Sequence, residues 1–129
     1  MIVDTSAVIA ILFAESDAEI YANAIARAEA CRMSAATFVE VSIVVEALTK
    51  SSGSRQLDAF MRRAGITIEP LTEEHAHLAR QAFTDFGKGR HPAGLNYGDC
   101  FSYALAKATT EPLLFKGKDF AKTDLVAAR

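Results

Sequence analysis

Short apolar runs separated by much longer stretches of helical periodicity leave this chain few folds to choose from. The runs are Met1-Ile2-Val3, Cys31-Arg32-Met33, Ile66-Thr67-Ile68-Glu69, Leu113-Leu114-Phe115 and Leu125-Val126-Ala127. Each is long enough only for a strand. Between them, apolar residues recur at helical spacing over 5–13, 18–29, 36–50, 55–64, 72–86 and 96–108. Strands joined through helices pair in parallel, because a crossover returns the chain to the same end of the sheet. The crossovers are expected to be right-handed, which leaves helices on both faces of the sheet. Two consecutive helical segments between the second and third strands predict a helical hairpin over one edge. The reading is an α/β fold in three layers, a short parallel sheet flanked by helices.

Composition narrows the class. The chain has 129 residues, 50% of them hydrophobic and 23% charged. That suits one domain over 1–129 with its own core, burying roughly two thirds of its unfolded surface without disulfide or metal staples. Cys31 and Cys100 read as small reduced core residues, and no Cys/His zinc spacing is present. The chain opens on an apolar strand with no charged leader before it, and no apolar run approaches the ~18 residues of a membrane span. A cytoplasmic location with no membrane contact is the expectation. The net charge of −2 does not announce a nucleic-acid binder. Locally, however, Lys88, Arg90 and His91 share a loop with Gly87, Gly89, Pro92 and Gly94, and Lys116, Lys118 and Lys122 surround Asp119. These are candidate phosphate contacts, the competing reading being solvated loop charge.

Four acids share a setting. Asp4 ends the first apolar run, Asp119 follows Leu113-Leu114-Phe115, and Glu40 and Asp99 fall in the first turn of apolar helices. In a parallel sheet such positions converge at the carboxyl edge of the strands, where ligands bind. Converging carboxylates repel, by about 4 kcal/mol per pair at ~4 Å and an effective dielectric of 20. Hard divalent cations relieve that repulsion. Each acid also has a local explanation. Thr37-x-x-Glu40 and Asn96-x-x-Asp99 match capping boxes, Thr5 or Ser6 is a candidate cap for the first helix, and Asp119 suits a turn. Thr5 and Ser6 are placed to orient Asp4, Asn96 to hold a carboxylate or phosphate, and Thr123 and Asp124 to approach from a turn. Glu46 lies too far along its helix from Glu40 to join it. His75 and His77 read as surface residues, and Tyr97, Phe101 and Tyr103 as core. No phosphate-binding P-loop, dinucleotide fingerprint or serine-nucleophile elbow is present, and the Ser at position 6 departs from the second Asp of a phosphoaspartyl phosphatase.

The stretches Ile2-Val3-Asp4-Thr5-Ser6-Ala7, Thr37 to Glu40 and Asn96 to Asp99 resemble PIN-domain nucleases. The run Gly94-Leu95-Asn96-Tyr97-Gly98-Asp99-Cys100-Phe101-Ser102-Tyr103-Ala104-Leu105-Ala106-Lys107 is similar to the VapC toxins of bacterial toxin–antitoxin pairs. Pro112 to Phe120 and Thr123-Asp124 continue the likeness, which spans essentially the whole chain. The resemblance implies a PIN-like fold, usually dimeric, and an endoribonuclease dependent on Mg²⁺ or Mn²⁺, with an RNA substrate and a VapB-type antitoxin whose tail lies across the active-site groove. It places Asp4, Glu40 and Asp99 on the family's core acids and Asp119 near the fourth, with Asp124 as its competitor. Lys88, Arg90, His91, Lys116 and Lys118 become candidates for contacts to the RNA backbone. Two alternatives stay open: a PIN-type nuclease for RNA processing outside a toxin pair, and a PIN domain that binds RNA or a partner without cleaving. A receiver-like signalling domain ranks low, because 66–70 offers only Glu69 where a phosphoacceptor Asp is needed.

Overall fold

The computed structural model describes residues 1–128. Its strands are β1 (Ile2–Val3), β2 (Cys31–Ser34), β3 (Ile66–Glu69) and β4 (Leu113–Leu114). Its helices are α1 (Thr5–Leu12), α2 (Ala18–Arg27), α3 (Ala35–Thr49), α4 (Gly53–Ala64), α5 (Glu73–Phe86) and α6 (Tyr97–Thr109), followed by a 3₁₀ turn at Phe120–Lys122. The sheet has the order β3-β2-β1-β4 and every pairing is parallel. The expected last strand at 125–127 is reduced to a single parallel bridge, Leu113 to Ala127.

Strand order explains where a site can form. From β1 the chain moves outward through β2 to β3, then returns by α5 and α6 to place β4 on the other side of β1. The direction of winding therefore reverses between β1 and β4. In open parallel sheets the crevice at such a reversal, outside the carboxyl ends of the strands, is the natural ligand site.

Alternation along the strands divides the interior in two. Val3, Met33, Ile66 and Leu114 face one core with Ala7, Val8, Tyr21, Val41, Val45 and Leu57, so that α1 to α4 cover that side. Ile2, Leu113 and Phe115 face the other core with Ala79, Ala82, Leu95, Ala104 and Leu105, so that α5 and α6 cover the opposite side. The paired helices α3 and α4 also meet β3, the edge strand, as the hairpin reading anticipated. Cys31 and Cys100 are buried free thiols. Among the described residues no helix is long and apolar enough to cross a membrane.

Two helix caps differ from expectation, although the helices themselves begin at or within one residue of the expected positions. The cap of α3 is Ser34, whose Oγ accepts from the Ala36 backbone N–H at 3.2 Å. Thr37 lies inside the helix and is fully buried, so Thr37 and Glu40 do not form a capping box. β2 runs directly into α3, which moves the cap three residues earlier. Likewise α1 is capped by Asp4 itself, whose carboxylate accepts from the Ser6 backbone N–H, and not by Thr5 or Ser6. The expected box at α6 is present in full, with Asn96 Oδ1 accepting from the Asp99 N–H at 2.9 Å and Asp99 Oδ2 accepting from the Asn96 N–H at 3.0 Å.

Candidate active site

Asp4, at the end of β1, is the most thoroughly held of the acids and is only 2% exposed. Its Oδ2 accepts from the Ser6 backbone at 3.0 Å and from Ser6 Oγ at 2.7 Å, and its Oδ1 accepts from Ser102 Oγ at 2.5 Å. Ser6 Oγ in turn accepts from the Lys116 backbone N–H at 2.9 Å. One hydroxyl thus fastens the loop after β4 to the carboxylate after β1, across the reversal point.

Glu40, in the second turn of α3, reaches the same edge. Thr5 Oγ1 donates to Glu40 Oε1 at 2.5 Å, so Thr5 orients Glu40 while Ser6 orients Asp4. Burial raises the Glu40 carboxyl above its ordinary range; the Thr5 bond opposes that and the Asp4 charge adds to it. The Glu40 carboxylate lies against the backbone of Gly98, and a Cβ built there would stand 1.7 Å from Glu40 Oε2.

Asp99 carries the clearest electrostatic signature. Its pKa is pushed up to about 7, first by burial and then by the charges of Asp4, Asp119 and Glu40, against the lowering effect of the Asn96 backbone bond. Asp99 therefore feels three acids that lie far from it in sequence, and Glu40 feels Asp4. Asp119 is exposed, at the head of the 3₁₀ turn, and makes no side-chain capping bond there.

The competitor acid sits elsewhere. Asp124 Oδ1 accepts from Tyr103 at 2.7 Å and its Oδ2 accepts from Lys107 at 2.8 Å, which fastens the C-terminal segment to α6 and lowers the Asp124 pKa. Thr123 spends its hydroxyl on the Phe120 carbonyl at 2.6 Å. Neither residue joins the cluster around Asp99. Lys116 Nζ is held by Glu15 at 2.5 Å and Asp17 at 2.9 Å, which raises its pKa and neutralises its charge locally. His91 accepts from the Ala93 N–H on Nδ1 at 3.0 Å and packs edge-on to Phe86, so it shapes its loop. Lys88, Arg90 and Lys118 are exposed, Arg90 lying over the Phe83 ring at 5.8 Å. Tyr103 is buried and Phe101 half-buried, whereas Tyr97 is 80% exposed, its ring set edge-on to Phe101. The expectation that Tyr97 packs in the core fails because, at the first position of α6, its side chain opens onto the groove between α5 and α6.

Two residues that residue-type reasoning passed over complete the site. Gly98 makes room for Glu40, and its signal was a glycine in the first turn of an apolar helix, where alanine is favoured by about 1 kcal/mol. Ser102 binds Asp4, and no local pattern announces it.

The donor set suits a hard cation. It is all oxygen and strongly anionic, and the Asp99 carboxyl, raised first by burial, is raised further by the charges of Asp4, Asp119 and Glu40. Among the described residues no three Asp, Glu, His or Cys side chains stand close enough to share one ion directly.

The matches to known proteins follow the same outline. The PIN domain family model matches residues 1–126. The ribonuclease VapC28 of Mycobacterium tuberculosis is 53% identical over 129 residues, covering 99% of this chain and 97% of the relative. The ribonuclease VapC of Mycolicibacterium smegmatis is 48% identical over 127 residues, covering 98% of each. The crystal structure of Mycobacterium tuberculosis VapC20, described as a sarcin–ricin loop cleaving toxin, superposes with a TM-score of 0.76 at 18% identity, covering 99% of this chain and 98% of that one. A toxin–antitoxin complex from Klebsiella pneumoniae superposes with a TM-score of 0.72 at 16% identity, covering 98% of this chain and 94% of that one. The chain belongs to the PIN-domain family, on the branch of the VapC ribonucleases.

Two outcomes are expected from this geometry. Gly98→Ala should leave the fold intact, since the atom displaced is the end of a flexible side chain, while moving Glu40 out of place and lowering RNA cleavage by about 10²-fold. A full loss of secondary structure by circular dichroism, or unchanged cleavage, would contradict it. The Asp99 carboxyl is protonated more readily in the folded chain than in the unfolded one, so it favours folding most below its unfolded value of 3.8. That contribution is lost as the pH rises through about 7. Without divalent cations, Asp99→Asn should flatten the fall in stability between those limits, as read by urea denaturation across pH.

Proposed function

We propose that this chain is a VapC-type endoribonuclease, the toxin of a toxin–antitoxin pair, which hydrolyses RNA phosphodiester bonds at the carboxyl edge of its sheet. Mg²⁺ or Mn²⁺ is the cofactor in this reading, and residues 1–129 act as one domain. The observation that carries it is the gathering of Asp4, Glu40, Asp99 and Asp119 at the winding reversal, with the Asp99 carboxyl lifted to about 7. Bound by these carboxylates, a divalent cation would supply Lewis acidity for activating water and offsetting charge on the phosphate.

The chain's own residues take distinct parts. Asp4 and Asp99 are the principal cation ligands, Asp4 fixed by Ser6 and Ser102, Asp99 fixed by Asn96 at the head of α6. Glu40, with its pKa raised by burial and its carboxylate steadied by Thr5, is placed to orient the attacking water or take its proton. Asp119, exposed at the rim, completes the anionic wall as the fourth acid. In-line attack leaves a 5′-phosphate and a 3′-hydroxyl. Lys88, Arg90 and Lys118 are the exposed cations for the RNA backbone. Lys116, neutralised by Glu15 and Asp17, serves instead to hold the loop after β4.

The toxin reading is supported over a processing nuclease by the names of the curated relatives, which are VapC ribonucleases. An antitoxin partner belongs to that reading. A groove of about 830 Å³ lined by Leu12, Ile25 and Phe60 together with Arg55 and Arg63 suits an amphipathic segment bearing acidic residues. A homodimer belongs to it too, supported by Val39 and Ile43, which stand exposed one turn apart on α3.

Asp4→Asn and Asp99→Asn should each abolish Mg²⁺- or Mn²⁺-dependent cleavage of total cellular RNA while the chain stays folded. Wild-type rates in both folded variants would sink the assignment. Reversing charge at Lys88 and Arg90 together should weaken RNA binding and reduce the slope of log affinity against log salt by roughly two. An unchanged slope returns that loop to solvated surface.

A further inference from the structure

We propose that Ser102 is a positioning residue for the reaction, and that its hydroxyl, oriented by Thr37, decides which lone pair of Asp4 faces the cation. The proposal rests on the divalent-cation reading above.

Ser102 and Thr37 are both fully buried polar residues. Hydroxyls within helices usually donate back to the carbonyl four residues earlier. This chain follows that habit at Ser42, Thr49, Thr84 and Thr109, which donate to the carbonyls of Phe38, Val45, Arg80 and Leu105. Ser102 departs from it. Its Oγ donates to Asp4 Oδ1 at 2.5 Å, and Thr37 Oγ1 lies 3.3 Å away.

The direction of the second bond follows from the first. A serine hydroxyl has one proton, and that of Ser102 is spent on the carboxylate. The contact with Thr37 must therefore run from the Thr37 hydroxyl into Ser102 Oγ. The order is Thr37 to Ser102 to Asp4, and it joins α3, α6 and the end of β1, which carry Glu40, Asp99 and Asp4.

The relay has a consequence for ligation. A carboxylate offers about four lone-pair sites, two on each oxygen. On Asp4, Oδ2 receives the Ser6 N–H and the Ser6 hydroxyl, and Oδ1 receives Ser102. Three sites are filled, and the one left is on Oδ1. Ser102 therefore restricts Asp4 to a single direction through a single oxygen. Without Ser102, Oδ1 has two sites to offer and one fewer bond to hold it in place. Outer partners that fix a ligand in this way are typically worth 10–100-fold in metal affinity.

The experiment is calorimetric titration of the full metal-free chain with Mn²⁺, for wild type, Ser102→Ala, Thr37→Val and Thr37→Ser, with thermal melts confirming the fold. Ser102→Ala should weaken Mn²⁺ binding by about 10-fold or more. Thr37→Val removes the hydroxyl at constant shape and should weaken binding by a smaller factor, which Thr37→Ser should restore. Rescue by Thr37→Ser separates positioning from packing, because serine keeps the hydroxyl and loses the methyl. If Ser102→Ala does not fold, the two Thr37 variants carry the test. Wild-type affinity in folded Ser102→Ala, or equal affinities in Thr37→Val and Thr37→Ser, overturns the proposal. A wild-type chain that binds no Mn²⁺ removes the cation reading beneath it, a result distinct from either.

Discussion

The hydrogen bonds around Asp4 tie the end of β1 to three helices and a loop. Through Ser6 they reach α1 and the loop after β4, through Ser102 they reach α6, and through Thr37 they reach α3. A buried carboxylate without partners costs several kcal/mol, so the element ends that supply those partners are held where Asp4 needs them. Both β1 and β4 contain only two residues. With so little strand pairing at the crevice, side-chain bonds to one carboxylate do part of the work that ladder bonds do in a longer sheet.

The same edge is electrostatically unfavourable. Glu40 and Asp99 are each raised chiefly by burial and further by acidic neighbours. Topology forces the crowding, because the ends of β1 and β4 and the starts of α3 and α6 meet at the place where winding reverses. What the fold gains from its cores it partly gives back here. The crowding is relieved where Asp99, its pKa raised to about 7, holds a proton near neutral pH. The opposite arrangement governs Lys116, Glu15 and Asp17, where charges are paired at the surface and their role is to hold the loop in place.

The legible parts of the sequence were those in which a residue type answers a backbone requirement. Strand-length apolar runs against helix-length periodicity disclosed the parallel α/β plan, and the Asn96–Asp99 box was readable because both partners lie within one turn. The α3 cap, though not its start, differs because Thr-x-x-Glu looks like a box whether or not a helix begins there, and β2 passes into α3 with no loop to mark the cap. Asp119 and Asp124 were inseparable because both follow β4 within a dozen residues. What separates them is Tyr103 and Lys107, which engage Asp124 from another helix. Ser102 and Gly98 were missed for the same reason: each matters through an atom far away in sequence, Asp4 Oδ1 for one and Glu40 Oε2 for the other.

Helix α6 shows how stability and function are divided within one element. Cys100, Tyr103, Ala104 and Leu105 build the second core, and burial raises the Cys100 thiol to about 11, as suits a residue used for packing. Interleaved with them, Gly98, Asp99 and Ser102 give up helix propensity or solvation for the site. Gly98 yields space, Asp99 yields charge, and Ser102 yields the carbonyl bond that helix serines usually make. The helix can bear these losses because its remaining positions are packed against α5 and the sheet. Residues that are locally unfavourable yet serve the acids, by space at Gly98 and by a hydrogen bond at Ser102, therefore trace the candidate site within α6.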